Sequence, residues 1–264
     1  MDVSSDVVVS GYNAFYAAWG RSPALRSIWS EHVTGPDFPE QFAHISFLRL
    51  AELESLREGL NLAADQILVD LACGAGGPGL WVARHSGARL LGIDLSPVAV
   101  QRAAERAPEL GLTAQVTFQQ GTFEHTGLDT ASVDAVMSVD AFQYAADKAS
   151  AFAEIARVVR RGGRLAFVAF EVDPDRVAGL PVWRDPVGDY RPHLKRAGFN
   201  VLHYRQLAGW RDQVTAGFAA IIAAGRTLET ELGQAAAQAI ALEASITVEL
   251  QPYSGHALAV ACRA

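Results

Sequence analysis

The residue types most able to do chemistry together lie close along the chain. Asp70 comes first, glycines follow at 74, 76 and 79, and Asp94 closes the set. The three glycines fit G-x-G-x-x-G, and Asp94 lies 20 residues beyond Gly74. Glycine lets backbone approach a ligand closely, and a carboxylate on the next strand tip can accept the hydrogen bonds of two ribose hydroxyls. A dinucleotide site has this spacing, so the loop alone leaves several nucleoside ligands open. Asp70 narrows them. A pyrophosphate has little use for an anion four residues before Gly74, whereas a cationic amino group or sulfonium does.

These residues need strand tips to hold them, and the surrounding pattern supplies strands. QILVDLAC (66–73) is an apolar run ended by glycines, as expected of a buried parallel strand. Pro78 falls where a first helical turn should start, and Gly87 where a helix should be capped. ARLLGID (88–94) is a second strand, and Ser96-Pro97 starts a helix running to about Glu109. AQVTFQ, SVDAVMSV and RLAFVAF are the third to fifth strands, with a helix capped by Asp147 before the fifth and ended by Gly162 and Gly163. YRPHLKRAG is a short helix, FNVLHYRQL a sixth strand, residues 211–245 Ala-rich helix, and GHALAVACRA a final strand. Strands alternating with helices at this spacing predict βαβ crossovers and a parallel sheet covered on both faces. Upstream, residues 1–63 read as helical, with Phe42, Ile45, Phe47, Leu48, Leu50, Leu53, Leu56 and Leu60 forming an apolar stripe.

Composition removes several function classes. The 264 residues are 50% hydrophobic with a net charge of −7, enough for a large core and unlike a disordered chain. The acidic balance argues against nucleic acid and against an anionic membrane surface as partners. No apolar run is long enough for a membrane span, the first residues lack the basic stretch of a secretory signal, and a cytoplasmic location is expected. Cys73 and Cys262 have no metal-ligand spacing, so no metal is expected and both thiols read as reduced.

In residues 65–170 the sequence resembles the class I S-adenosylmethionine (SAM)-dependent methyltransferases. VDLACGAG resembles the family's first motif, with Ala72 where glycine is usual. GIDLS resembles the second, QQGTFEH the third, SVDAVMSVDAFQY the fourth, and ARVVRRGGRLAF the helix-turn-strand that follows, with Arg161 replacing a usual proline. The resemblance implies an α/β, Rossmann-like, seven-stranded, mostly parallel sheet with an antiparallel last strand, an N-terminal helical lid and a helical cap insertion. It implies a lid over 1–63 and a SAM-binding domain over 64–264, with 171–254 including the cap. It also implies SAM as cofactor, held by Asp70, Ala72, Gly74, Gly76, Asp94, Leu95, Thr122, Phe123 and Ser138. Asp94 would take the ribose and Phe123 the adenine, while Thr122 stands where an acidic residue is usual. The subtype resembles bacterial small-molecule methyltransferases of natural-product and quinone type.

Methyl transfer asks a protein to bind, align and exclude water, and a base is needed only where the acceptor carries a proton. Tyr144, Glu171 and His44 are the catalytic candidates, with Asp140 and Gln143 as nearby polar groups beyond the fourth strand. Some relatives place paired histidines near 143 and 144, which Gln143 and Tyr144 break. Tyr12, Tyr16, Trp19, Trp29, Phe38, Phe42, Trp183 and Trp210 supply rings that either pack helices or line a pocket for an apolar or aromatic acceptor. The rival readings are a non-methylating enzyme such as a cyclase, a SAM-binding regulator, and a nicotinamide enzyme.

Overall fold

The computed structural model describes residues 13, 16, 18–177 and 185–264. Seven strands form one sheet: β1 (Ile67–Leu71), β2 (Arg89–Asp94), β3 (Val116–Gln120), β4 (Val133–Val139), β5 (Val159–Val172), β6 (Phe199–Gln206) and β7 (Ser254–Arg263). Their spatial order is β3-β2-β1-β4-β5-β7-β6, with β7 alone antiparallel to its neighbours β5 and β6. The order reverses between β1 and β4, where ligands of open α/β sheets bind beyond the strand ends. This is the Rossmann-like sheet expected from the motifs.

Nine α-helices are described: α1 (Pro23–Ile28), α2 (Leu50–Leu60), α3 (Gly77–Ser86), α4 (Pro97–Glu109), α5 (Lys148–Val158), α6 (Arg191–Arg196), α7 (Trp210–Ala223), α8 (Gly225–Leu232) and α9 (Gln234–Leu250). The residues singled out as stop and start signals act as such. Gly87 ends α3 in the left-handed conformation, the Ser96 hydroxyl accepts the Ala99 N–H, and the Asp147 carboxylate accepts the Ser150 N–H. α5 and α6 bury Phe152, Ile155 and Leu194 against one sheet face, and α2, α3 and α4 bury Leu53, Leu80 and Ala107 against the other. A third cluster joins α1, α7, α8 and α9 through Leu25, Val214, Leu228 and Ile240, with Phe170 of β5 at its base.

Three local expectations give way. The apolar stripe from Phe42 to Leu60 is helical only from Leu50, and residues 43–49 are an irregular strap after a short 3-10 turn, Glu40–Phe42. Arg49 is extended and its N–H donates to the Glu52 carboxylate (2.6 Å), which starts α2 there. Phe42, Phe47 and Leu48 are buried nonetheless, so tertiary packing rather than periodicity fixed the spacing. α5 stops at Val158 and Val159 already pairs with Val133, so Gly162 and Gly163 sit in an irregular part of β5 rather than at the helix end. The Ala-rich segment is three helices, broken at Ala224 and Gly233. Tyr12, Phe15 and Trp183 lie outside the described residues. Among those described, no helix is long and apolar enough to cross a membrane.

Candidate active site

β1 runs straight into the turn its sequence foretold. Ala72 adopts φ +61°, Gly74 +55° and Gly76 +80° before α3 begins. Beyond this turn lies a crevice with about 470 Å³ of empty space. Asp70, Ala72 and Gly74 line it together with the strap residues His44 and Ser46 and, from the N-terminal segment, Tyr16 and Trp19.

Asp70 is buried, and one carboxylate oxygen, Oδ2, has no partner. Burial first, then the charge of Asp94, pushes its carboxyl up to about 7, against a lowering hydrogen bond from the Gly79 N–H. A Cβ on Gly79 would strike this carboxylate, which gives the third glycine of the pattern a steric reason. A side chain on Gly74 would meet the Tyr16 hydroxyl. Asp94 is buried at the tip of β2. Its two oxygens each accept one backbone N–H, from Gly74 and from Ser96 (both 2.8 Å), so the carboxylate organises the turn and retains a lone pair on each oxygen. Burial raises its pKa, against hydrogen bonds from Ser96, Gly74 and Leu95.

The other cofactor candidates divide. Leu95 follows Asp94, and its carbonyl accepts from the Gln120 amide (3.0 Å). The Thr122 hydroxyl accepts the His125 N–H (3.1 Å) and closes a turn. Phe123 packs on Phe142 in the core (centroids 5.0 Å apart). Ser138 is wholly buried and donates to the Leu71 carbonyl (2.8 Å), tying β4 to β1 rather than lining the crevice.

The three catalytic candidates do not converge. Glu171 accepts from the Tyr204 hydroxyl and from the Gln206 amide (2.5 Å), and it is not part of the crevice lining. Tyr144 closes a short turn after β4, near enough for its charge to act on Tyr16, and is likewise absent from the lining. His44 alone of the three lines the crevice, on the irregular strap rather than on the expected lid helix. Its Nδ1 lies 2.8 Å from the Ser46 hydroxyl and accepts the Ser46 N–H (3.2 Å), its Nε2 is unpartnered, and burial lowers its pKa to about 4.

Residues 69–167 match the methyltransferase-domain family model. That stretch is similar to the methyltransferase domains of the relatives that follow. The chain is 33% identical over 144 residues to the methyltransferase GfsG of Streptomyces halstedii, covering 54% of this chain and 52% of that one. It is 27% identical over 200 residues to the 27-O-demethylrifamycin SV methyltransferase of Amycolatopsis mediterranei, covering 71% of each. It spans between a third and about two thirds of the length of other curated relatives. The (4+2)-cyclase SpnF shares the fold over 99% of this chain and 97% of its own, with TM-score 0.77 and 22% identity.

Two further arrangements near the crevice come from contacts that sequence reasoning did not supply. The Arg106 guanidinium donates to the Ala75 carbonyl (2.8 Å) and the Gln41 carbonyl (2.7 Å), joining the glycine turn to the 3-10 turn that precedes the strap. Asp140, in a left-handed conformation at φ +49°, accepts the Phe47 N–H (2.7 Å) with one oxygen and faces His256 Nε2 (2.6 Å) with the other. The sequence signalled Asp140 as a strand-end carboxylate. Nothing linear linked it to His256, 116 positions away. The aromatic supply is mostly structural, since Trp29, Phe38, Phe42 and Trp210 are buried in hydrophobic clusters. Among the described members of that set, Tyr16 and Trp19 line the crevice.

Proposed function

We propose that the protein transfers a methyl group from SAM to a small organic acceptor, with the cofactor over the glycine turn and the acceptor under the strap. The observation that carries this is the unpartnered Asp70 oxygen in a crevice whose described lining holds no Lys or Arg. A buried acceptor of this kind is costly to leave unmade and is matched by an ammonium group. The residues present fit the cofactor: Asp70 for its amino group, the open turn at Ala72, Gly74 and Gly76 for close backbone approach, and Asp94 with Leu95 for the ribose. Thr122 and Phe123 would border the adenine. Ser138 would contribute through β4 rather than through its hydroxyl, which the Leu71 carbonyl occupies.

SAM, when bound, supplies the activated methyl group. The chain then aligns an acceptor atom at about 3–3.5 Å and keeps water out. Residues 1–63 would act as the lid, 171–254 would include the cap, and Tyr16 and Trp19 favour an apolar or aromatic acceptor, in keeping with the rifamycin methyltransferase among the relatives. His44 is the polar side chain of the strap best placed to meet that ligand. Tyr144 and Glu171 are not needed for the step as written.

Calorimetry with SAM and with S-adenosylhomocysteine tests the proposal. Binding of both is expected, and binding of neither would overturn it. A second reading is a cyclase that holds SAM without consuming it. The full-length likeness in fold to SpnF favours retaining it. Intact SAM after product formation would select that reading.

A further inference from the structure

We infer that His44 is a neutral hydrogen-bond donor, protonated on Nε2, that receives an anionic oxygen of a ligand seated in the crevice. The ownership of that oxygen rests on the methyltransferase reading; the protonation pattern does not.

The tautomer follows from geometry. The Ser46 backbone N–H can only donate, and it points at His44 Nδ1 (3.2 Å). The Ser46 hydroxyl lies 2.8 Å from the same nitrogen. A proton on Nδ1 would oppose the backbone N–H, so Nδ1 is the acceptor and the single proton of the neutral ring sits on Nε2. The ring stays neutral because it is 8% exposed, and burial outweighs the opposing pull of the Asp140 carboxylate, while the Arg106 guanidinium adds to burial. Both charged groups are engaged elsewhere, Asp140 by Phe47 and His256, Arg106 by Ala75 and Gln41.

Nε2–H is therefore a buried donor without a protein partner. A general base would need a free lone pair on its unpaired nitrogen, and on His44 that nitrogen carries the proton instead. His44 and Asp70 both line the crevice. Asp70 is there for a zwitterion's cation, but among the described lining residues there is no Lys or Arg to receive the anion of a zwitterionic or phenolate ligand. Neutral donors must do so, and His44 is the one whose donor is shown to be unused.

Two ligands own such an oxygen: the carboxylate end of the cofactor and a phenolate or carboxylate of the acceptor. Nitrogen NMR of protein labelled in histidine reads the tautomer first. The expected signature is an unprotonated Nδ1 and a protonated Nε2 in His44, unchanged between pH 8 and about 5. A proton on Nδ1, or an imidazolium at pH 7, overturns the inference.

Calorimetry then assigns the oxygen. His44→Phe and His44→Gln are titrated with S-adenosylhomocysteine, with 5′-methylthioadenosine, which lacks the carboxylate, and with 4-nitrophenolate on nucleoside-saturated protein. A loss of about tenfold for His44→Phe with S-adenosylhomocysteine alone, partly restored in His44→Gln, assigns the cofactor carboxylate. The same loss with 4-nitrophenolate alone assigns the acceptor. Equal affinities of wild type and both variants for every probe overturn the inference. Failure of the wild type to bind S-adenosylhomocysteine strikes the cofactor reading instead, and the tautomer with the phenolate arm on free protein then decides His44.

Discussion

Asp70 and Glu171 are both buried carboxylates at the C-terminal ends of strands, on β1 and β5, and burial pushes both pKa values up. They differ in their company. Glu171 has both oxygens taken, one by the Tyr204 hydroxyl and one by the Gln206 amide, and it knits β5 to β6. Asp70 has one oxygen with no partner and faces a crevice. Position on a strand tip selects both residues as candidates, and satisfaction separates them. A completed hydrogen-bond set marks a residue that holds the fold. An incomplete one marks a residue built to hold something else.

The difference can be broken most forcefully at Asp70. Asp70→Asn should weaken SAM binding by about 2–3 kcal/mol, through loss of a charge-assisted hydrogen bond. Calorimetry checks this, and an unchanged affinity would return Asp70 to the same class as Glu171. Glu171→Gln should do the reverse. Its new amide would point N–H groups at the Gln206 amide, lowering stability in urea by about 1–2 kcal/mol while leaving S-adenosylhomocysteine affinity unaltered.

Acidity sharpens the comparison further. Asp70 titrates near 7 folded and near its ordinary value unfolded, so its contribution to stability declines as pH rises from about 4 to about 7. His44 runs the other way. Its folded pKa of about 4 lies below the ordinary 6.5, so its contribution is lost as pH falls through that interval. Urea melts of Asp70→Asn should show stability rising more steeply with pH between 4 and 6.5 than in wild type. For the same reason, at pH 7 SAM binding should release roughly half a proton from Asp70, seen as a buffer-dependent binding enthalpy.

The smallest effect concerns the turn between the carboxylates. Ala72 carries a Cβ at φ +61°, a conformation that costs most side chains about 1 kcal/mol and glycine little. Ala72→Gly should raise stability by up to ~1 kcal/mol, offset partly by the freer unfolded chain. Thermal melts of the cofactor-free protein would show it.

Much of this was legible in sequence because it is local. β1, β2, α4 and their caps follow from apolar runs punctuated by Gly87, Ser96 and Pro97, whose effects reach only a few residues. Asp70 and Asp94 were legible because strand tips fix where a carboxylate goes. The strap was not, because Phe42, Phe47 and Leu48 are spaced as a helix would space them and are buried without one. The setting of Glu171 was not legible, because its partners lie on β6, more than thirty positions away. The setting of His44 was hidden for another reason: its distinguishing contact is with Ser46 two residues on, a detail of rotamer rather than of pattern.

The strap and the 3-10 turn before it are fastened at two points, to Arg106 through Gln41 and to Asp140 through Phe47. A roof bolted at each end does not swing. Traffic of molecules into and out of the cavity is then governed by the edge that carries Tyr16 and Trp19, and substitutions there should alter on- and off-rates together while equilibrium affinity changes less.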